Sequence, residues 1–167
     1  MLIIFGGLPG SGKTTIAREL ARQIGAIHLR IDSIEQAIRF CSPDAVGLDE
    51  AGYQVAYAVA EDNLHVGRTV VADSVNPLKI TRDAWLAVGR HTQAVTVEIE
   101  VICSDSREHR ARVETRKPDI AGFRLPSWEQ VISREYDPWD REHIVIDTAH
   151  RSLEQNIETL REALSPQ

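Results

Sequence analysis

Gly7-Leu8-Pro9-Gly10-Ser11-Gly12-Lys13-Thr14 runs glycine, four residues, glycine, lysine, threonine, and the residues on either side decide how it is read. Before it, Leu2 to Phe5 is a short apolar run closed by Gly6-Gly7, the pattern of a strand buried on both faces. After it, Ile16, Ala17, Leu20, Ala21 and Ile24 recur at helical spacing up to Gly25, a residue suited to ending a helix. A strand, a glycine loop and a helix in that order make a cradle for phosphate. The glycines let successive backbone N–H groups turn inward, and the helix start adds the positive end of its dipole. Lys13 is placed to reach the β and γ phosphates of a nucleotide, and the Thr14 hydroxyl to ligate Mg²⁺. Gly7, Pro9, Gly10, Ser11, Gly12, Lys13, Thr14 and Thr15 are thus the expected nucleotide contacts.

Further along the chain, Ala26 to Ile31 reads as a second strand, and Asp32-Ser33 stands where an N-cap opens a helix running through Phe40. Ser42 to Asp49 has no periodicity and is expected to be a loop; Glu50 to Val66 is helical, ending at Gly67. Thr69 to Ala72 is strand three, Pro77 suits the first turn of a helix reaching about Gly89, and Ala94 to Cys103 is strand four. Ser104 opens a charged helix to about Lys117, Pro118 to Pro126 is irregular, Ser127 caps another helix, Ile144 to Ile146 is strand five, and Ser152 to Leu164 is the last helix. Five strands alternating with helices predict a three-layer α/β P-loop NTPase fold with a parallel sheet, right-handed crossovers and a short helical lid over about 104–126. Ligands in such sheets bind at the carboxyl ends of strands, and the phosphate loop, Asp32 and Asp73 follow predicted strands one, two and three.

The 167 residues suit one domain, 1–167, with enough apolar content for a real core. A net charge of −6 and a pI near 5.5 disfavour a protein that binds by neutralising a nucleic-acid backbone. Arginine outnumbers lysine sixteen to three, which makes Lys13 inside the glycine loop conspicuous. No window is apolar over a membrane-spanning length, and Met1 to Phe5 lacks a basic leader and runs into the glycine loop, so Met1 is expected to be a true start of the folded domain, and the protein to be cytoplasmic. Cys41 and Cys103 are expected to be idle thiols in a reducing compartment, and the six histidines lack zinc-site spacing. Trp85 and Trp128 are expected to pack; Tyr136-Asp137-Pro138-Trp139 reads first as an anchor before strand five and second as part of an acceptor pocket.

The glycine–lysine motif resembles that of the P-loop kinases. Ile31-Asp32-Ser33-Ile34-Glu35-Gln36-Ala37-Ile38 is similar to the same stretch of the chloramphenicol phosphotransferase family, and Asp73-Ser74-Val75-Asn76-Pro77 to a segment of polynucleotide kinase domains. Zeta-type toxin kinases and gluconate kinases share the wider architecture. The resemblance implies transfer of the γ-phosphoryl group of ATP to a hydroxyl of a small molecule, such as an antibiotic, sugar or other metabolite. A polynucleotide 5′-hydroxyl kinase and a non-catalytic ATP-binding switch are the alternatives. Asp32 is implied as catalytic base, with helix capping as its other reading. Asp73 with Thr14 would organise Mg²⁺, a turn role with Asn76 and Pro77 being its rival. Arg112 and Arg116, one helical turn apart, would meet the nucleotide and the transferred group, Arg110 coming next; a solvated face paired with Glu108 and Glu114 is the plain alternative. Asp147-Thr148-Ala149 matches the place where related kinases pass the adenine ring. Asn76, Tyr53 and Tyr57 are the remaining acceptor-site candidates, and the lack of an Asn-Lys-x-Asp guanine motif favours ATP over GTP.

Overall fold

In the computed structural model, which describes residues 1–42 and 48–164, twelve elements follow one another. They are β1 (Leu2–Gly6), α1 (Lys13–Ile24), β2 (Ile27–Arg30), α2 (Ile31–Cys41), α3 (Leu48–His65), β3 (Val70–Asp73), α4 (Lys79–His91), β4 (Thr96–Ile102), α5 (Ser106–Thr115), α6 (Trp128–Ile132), β5 (Ile144–Asp147) and α7 (Leu153–Leu164). The five strands form one parallel sheet in the order β2-β3-β1-β4-β5.

Alternation along the strands decides what covers each face. Ile3, Phe5, Val71, Ile99, Val101 and Ile146 point to one side and pack on Ile16, Ala17 and Leu20 of α1 and Ile157 and Leu160 of α7. Leu2, Ile4, Val70 and Ala72 point to the other and meet Ala56, Ala60 and Leu64 of α3 and Trp85 and Val88 of α4. Each large apolar side chain taken fully from water stabilises the fold by about 1.5–3 kcal/mol, so the strand most enclosed by these layers, β1, is the firmest base for a loop. It is also where the sheet's direction of winding reverses, β3 and β2 lying to one side and β4 and β5 to the other. The crevice at its carboxyl end is therefore open to a ligand.

The boundaries differ from expectation in ways that bear on the site. Helix α2 begins at Ile31 with Arg30 as its N-cap, so Asp32 lies inside the first turn and does not cap the helix. Helix α4 begins at Lys79 after Leu78, leaving Pro77 outside it. Asp105, not Ser104, caps α5: its Oδ1 accepts the N–H groups of Arg107 at 2.8 Å and Glu108 at 3.0 Å. Ser127 does cap α6, in a reciprocal capping box with Gln130. Asp73 and Asp147 are the last residues of β3 and β5 rather than the first beyond them. The loop expected over Ser42 to Asp49 falls mainly on residues 43–47, outside the described residues.

The chain between α6 and β5 packs over Glu98 and Glu100 of β4. Tyr136 donates its hydroxyl to Glu100 Oε1 at 3.0 Å, the Trp139 indole N–H donates to the Tyr136 hydroxyl at 3.0 Å, and Trp139 stacks on His143 at 4.5 Å. Tyr136 to Trp139 is thus an anchor. Trp85 is fully buried, and Trp128 meets His109 edge to face.

Candidate active site

The phosphate loop turns as its glycines require. Gly7 has φ +137°, and a Cβ there would run into the carbonyl oxygen of Val101, so no other residue fits without moving β4. Gly12 is the N-cap of α1 at φ +96°. Three neighbours hold the loop from outside. The Gly7 N–H donates to the Val75 carbonyl at 3.0 Å, His109 Nε2 lies 2.9 Å from the Pro9 carbonyl, and the Thr148 hydroxyl donates to the Ser11 carbonyl at 2.7 Å.

Behind the loop, Lys13, Thr14 and Asp73 form one knot. Lys13 Nζ donates to Asp73 Oδ1 at 2.8 Å, Thr14 Oγ1 donates to the same oxygen at 3.2 Å, and His28 Nε2 lies 3.2 Å from Oδ2. Burial pushes the Asp73 carboxyl up, but the Lys13 charge and the hydrogen bonds from His28 and Lys13 outweigh it and hold the group well below the usual carboxylate range. Thr14 and Asp73 are hard oxygen donors side by side, and Mg²⁺ takes one or two protein oxygens together with phosphate oxygens and water. The pair therefore fits Mg²⁺. Among the described residues no cluster of three or more His, Cys, Asp or Glu suits another metal.

In front of the loop lies a cavity of about 1610 Å³. Asp32 lines it from α2, its side chain 28% exposed and its one hydrogen bond or ion pair among the described residues coming from Arg30 Nη2 at 3.4 Å. Arg30, itself buried, donates to Asp119 Oδ2 at 2.8 Å, and Arg18 of α1 donates to the same oxygen at 2.7 Å. These hydrogen bonds hold the Asp119 carboxyl well below its ordinary range against a smaller upward push from burial. Through Asp119 the irregular segment 118–126 is tied to α1 and to the end of β2.

Arg112 is fixed beside the cradle: Nη1 donates to Thr148 Oγ1 at 2.7 Å, and Nη2 to the Thr148 carbonyl at 3.0 Å and Glu108 Oε1 at 2.6 Å. A Cβ on Gly12 would stand 3.8 Å from Arg112 Nη1, so this guanidinium flanks the start of α1. Arg116, half-buried, lines the same cavity; burial lowers its pKa, the Arg30 charge adds to the fall, and Asp32 and Asp119 offset only part of it. Arg110 instead pairs with Glu114 at 2.8 Å on the exposed side of α5.

Tyr53 and Tyr57 form a cavity wall with rings 5.9 Å apart, but their hydroxyls are engaged elsewhere. Tyr53 accepts the Asn76 N–H at 3.2 Å, and Tyr57 donates to the Thr81 carbonyl at 3.3 Å. Burial pushes the Tyr53 hydroxyl up to about 12, so it stays protonated. Two expectations need correcting. Asn76 is wholly buried and donates to the Phe5 carbonyl at 2.8 Å, so it braces the loop after β3 against β1 and offers no surface to an acceptor. Asp147 Oδ1 accepts the N–H groups of Ser104 and Ala149, both at 3.0 Å, and the residue that lines the cavity is its neighbour Thr148. Arg30, Asp119, His28 and His109 were not foreseen as site residues, and Thr148 only as part of the Asp147-Thr148-Ala149 stretch. Arg30 had a signal, a basic side chain two residues before Asp32 at a strand end; Asp119 sits in a stretch with no pattern.

A family model described as an AAA domain matches residues 2–130. The chain belongs to the AAA domain family. No curated protein matches it. Solved structures share the fold of this AAA domain along nearly its whole length. The APS kinase CysC of Mycobacterium tuberculosis, in complex with AMPPNP and APS, superposes with a TM-score of 0.70 at 18% identity, covering 98% of this chain and 97% of that one. Kti12 of Chaetomium thermophilum, in complex with ADP-AlF3, gives 0.69 at 20% identity over 99% and 100% of the two chains. A gluconokinase from Sinorhizobium meliloti 1021 gives 0.62 at 16% identity over 98% and 97%. At these identities the likeness establishes the α/β P-loop NTPase fold and nothing finer. No helix among the described residues of the AAA domain is long and apolar enough to cross a membrane.

Proposed function

We propose that this AAA domain is an ATP-dependent phosphotransferase that moves the γ-phosphoryl group onto a hydroxyl of a small molecule, acting as a single cytoplasmic domain over 1–167. The observation that carries this reading is the shared cavity: the cradle and Lys13 line one part of it, and Asp32, a carboxylate with one long hydrogen bond, lines another. A nucleotide switch has no use for such a carboxylate. Two of the similar folds are named kinases, one of them holding a nucleotide analogue together with APS. The stretch Ile31–Ile38 supports a place near the zeta-toxin-like kinases and chloramphenicol phosphotransferase.

In this mechanism the loop N–H groups and Lys13 bind the β and γ phosphates, Lys13 exchanging Asp73 for phosphate oxygen. Thr14 and Asp73 would hold Mg²⁺, which when bound neutralises charge on the β and γ oxygens. Asp32 accepts the proton of the acceptor hydroxyl as its oxygen bonds to the γ phosphorus, and the bond to the β–γ bridging oxygen breaks to release ADP. Arg116 and Arg112 offset the charge that develops, and the 118–126 segment excludes water. The test is transfer from γ-labelled ATP with Mg²⁺ across hydroxylated antibiotics, sugars, nucleosides and a 5′-hydroxyl oligonucleotide. Transfer to a small molecule that falls by about 10²–10⁴ in Asp32→Asn, with ATP binding intact, is the expected result. Labelling of the oligonucleotide alone would make the chain a polynucleotide kinase, and full activity in Asp32→Asn would remove the base.

A further inference from the structure

The cavity reaches from the phosphate loop to Pro77, Leu78 and Arg134, and its loop end is held by side chains that the glycine–lysine motif does not itself supply. Two loop carbonyls are pinned in this way. His109 of α5 brings Nε2 to 2.9 Å from the Pro9 carbonyl, and Thr148, just after β5, donates its hydroxyl to the Ser11 carbonyl at 2.7 Å; both residues are buried. A carbonyl oxygen only accepts, so His109 carries its hydrogen on Nε2. The single hydroxyl hydrogen of Thr148 serves Ser11, the nearer of two carbonyls, that of Ile102 lying 3.0 Å away. Each anchor is fixed in turn. The His109 ring meets Trp128 of α6 edge to face at 5.2 Å, and Thr148 Oγ1 accepts Arg112 Nη1 at 2.7 Å while its N–H donates to the Ile102 carbonyl at 2.9 Å.

What the pinning does follows from the shape of a peptide. A trans peptide unit is planar, with its C=O and N–H pointing in opposite directions, and no peptide bond among the described residues is cis. Turning the Pro9 carbonyl toward α5 therefore turns the Gly10 N–H away from α5. Turning the Ser11 carbonyl toward Thr148 does the same for the Gly12 N–H. Neither N–H has a hydrogen-bond partner among the described residues, whereas the Ser11 N–H between them donates to the Leu8 carbonyl at 3.2 Å. Gly10 and Gly12 line the cavity; Ser11, buried, does not. Their φ values of +86° and +96° lie in the left-handed region, the backbone alternation that gathers N–H groups around an anion. Gly10 is also backed closely: a Cβ there would stand 2.5 Å from Val113 Cγ2 and 3.2 Å from His109 Cδ2.

We propose that His109 and Thr148 are positioning residues for the nucleotide, which by holding the Pro9 and Ser11 carbonyls aim the Gly10 and Gly12 N–H groups at phosphate oxygen before any ligand arrives. This rests on one part of the proposed function, the binding of a nucleotide's phosphates by the loop, and not on the transfer step. Glycine leaves a backbone free to take several orientations, so an untethered loop would have to be ordered by the ligand, and that ordering would weaken binding. The tethers come from α5 and from the end of β5, far from the loop in sequence, so the motif fixes the loop's composition and these two side chains fix its aim.

The test uses tripolyphosphate with Mg²⁺, which has the phosphate chain of ATP and no base, titrated by calorimetry into the full chain while the Gly10 and Gly12 amide signals are followed by NMR. His109→Phe keeps a ring against Trp128 without the donor, and His109→Gln returns an N–H near Nε2. Thr148→Val keeps the shape without the hydroxyl, and Thr148→Ser returns it; Thr148→Ala stands in if the valine variant does not fold. Affinity for tripolyphosphate and for ATP should fall by about three- to tenfold in the Phe and Val variants and recover in the Gln and Ser variants. The two glycines should respond separately. Thr148→Val should diminish the downfield shift of the Gly12 amide proton on binding and spare that of Gly10, and His109→Phe should do the reverse, a crossed pattern that a general loss of stability would not produce. In the wild type, ring nitrogen shifts should place the His109 hydrogen on Nε2, which checks that contact without a variant. Affinities within twofold of wild type, no recovery in the conservative variants, equal loss at both glycines or a hydrogen on Nδ1 would overturn the proposal. So would a wild type that binds no polyphosphate. The crossed pattern without phosphoryl transfer to any acceptor would leave the two positioning residues standing and count against the kinase.

Discussion

Asp73 Oδ1 receives both the Lys13 ammonium at 2.8 Å and the Thr14 hydroxyl at 3.2 Å, so one buried oxygen orients the two side chains that the nucleotide phosphates and Mg²⁺ would need. Lys13→Ala removes a charge aimed at the phosphates and leaves Asp73 buried with His28 and Thr14 alone. Phosphoryl transfer is expected to fall by about 10²–10³, read as initial rates at saturating acceptor. The same knot sets an acid limit. The folded Asp73 carboxyl lies well below the unfolded value of about 3.9, so its contribution to stability is complete above that value and is lost as pH falls toward the folded one. Thermal unfolding should be nearly constant from pH 7 to 5 and drop steeply below about pH 4. His28→Gln, which takes one favourable partner from the carboxylate, should make that drop shallower; an identical profile in the variant would remove His28 from the network.

At the scale of elements, α1 and β1 were legible because their burial follows a simple pattern: the one-sided apolar spacing of α1 and the unbroken apolar run of β1, buried on both faces, match their burial almost residue for residue. The ends were less legible, because a cap depends on which of several adjacent polar residues reaches the first free N–H groups. Ser104 and Asp105 are both good caps by type, and only the turn after β4 decides for Asp105. The same competition hid the tie between the 118–126 segment and the sheet, since Arg18, Arg30 and Asp119 are far apart in sequence and meet only in the fold. Asp119→Ala tests that tie. The Arg18 pair is exposed and adds little, but Arg30 is buried and would keep only its 3.4 Å contact with Asp32, so the unfolding temperature should fall modestly. Amide exchange over 117–126 should nevertheless speed up by an order of magnitude or more, since the segment loses its two fixed points. ATP hydrolysis without acceptor should rise relative to phosphoryl transfer, because water then reaches the γ phosphate; an unchanged ratio would show that the segment does not exclude it.

For the molecule as a whole, the parallel sheet follows from alternation of strands with helices, but the tie between the loop after β3 and the α6–β5 connector does not, because it runs through a buried cation that sequence pattern would place on the surface. Arg82 of α4 is fully buried, donating to the Asn76 carbonyl at 3.2 Å, the Pro77 carbonyl at 3.3 Å and the Pro138 carbonyl at 3.0 Å, with its guanidinium 4.8 Å from the centre of the Trp139 ring. It thereby joins the loop after β3, which walls the cavity, to the α6–β5 connector that carries Arg134 and covers β4. Arg82→Met keeps much of the volume but leaves three carbonyls without this donor and ends the cation–π contact. Stability is expected to fall by about 3–5 kcal/mol, measured by chemical denaturation. Since the phosphate loop is held chiefly by His109, Thr148 and the Val75 carbonyl, affinity for Mg²⁺-ATP should stay within about twofold in the fraction that remains folded. The acceptor KM should rise at least about tenfold, because the Pro77 wall and the connector bearing Arg134 no longer share a fixed point. Equal losses in nucleotide and acceptor binding would mean that Arg82 supports the sheet in general and does not link these two walls.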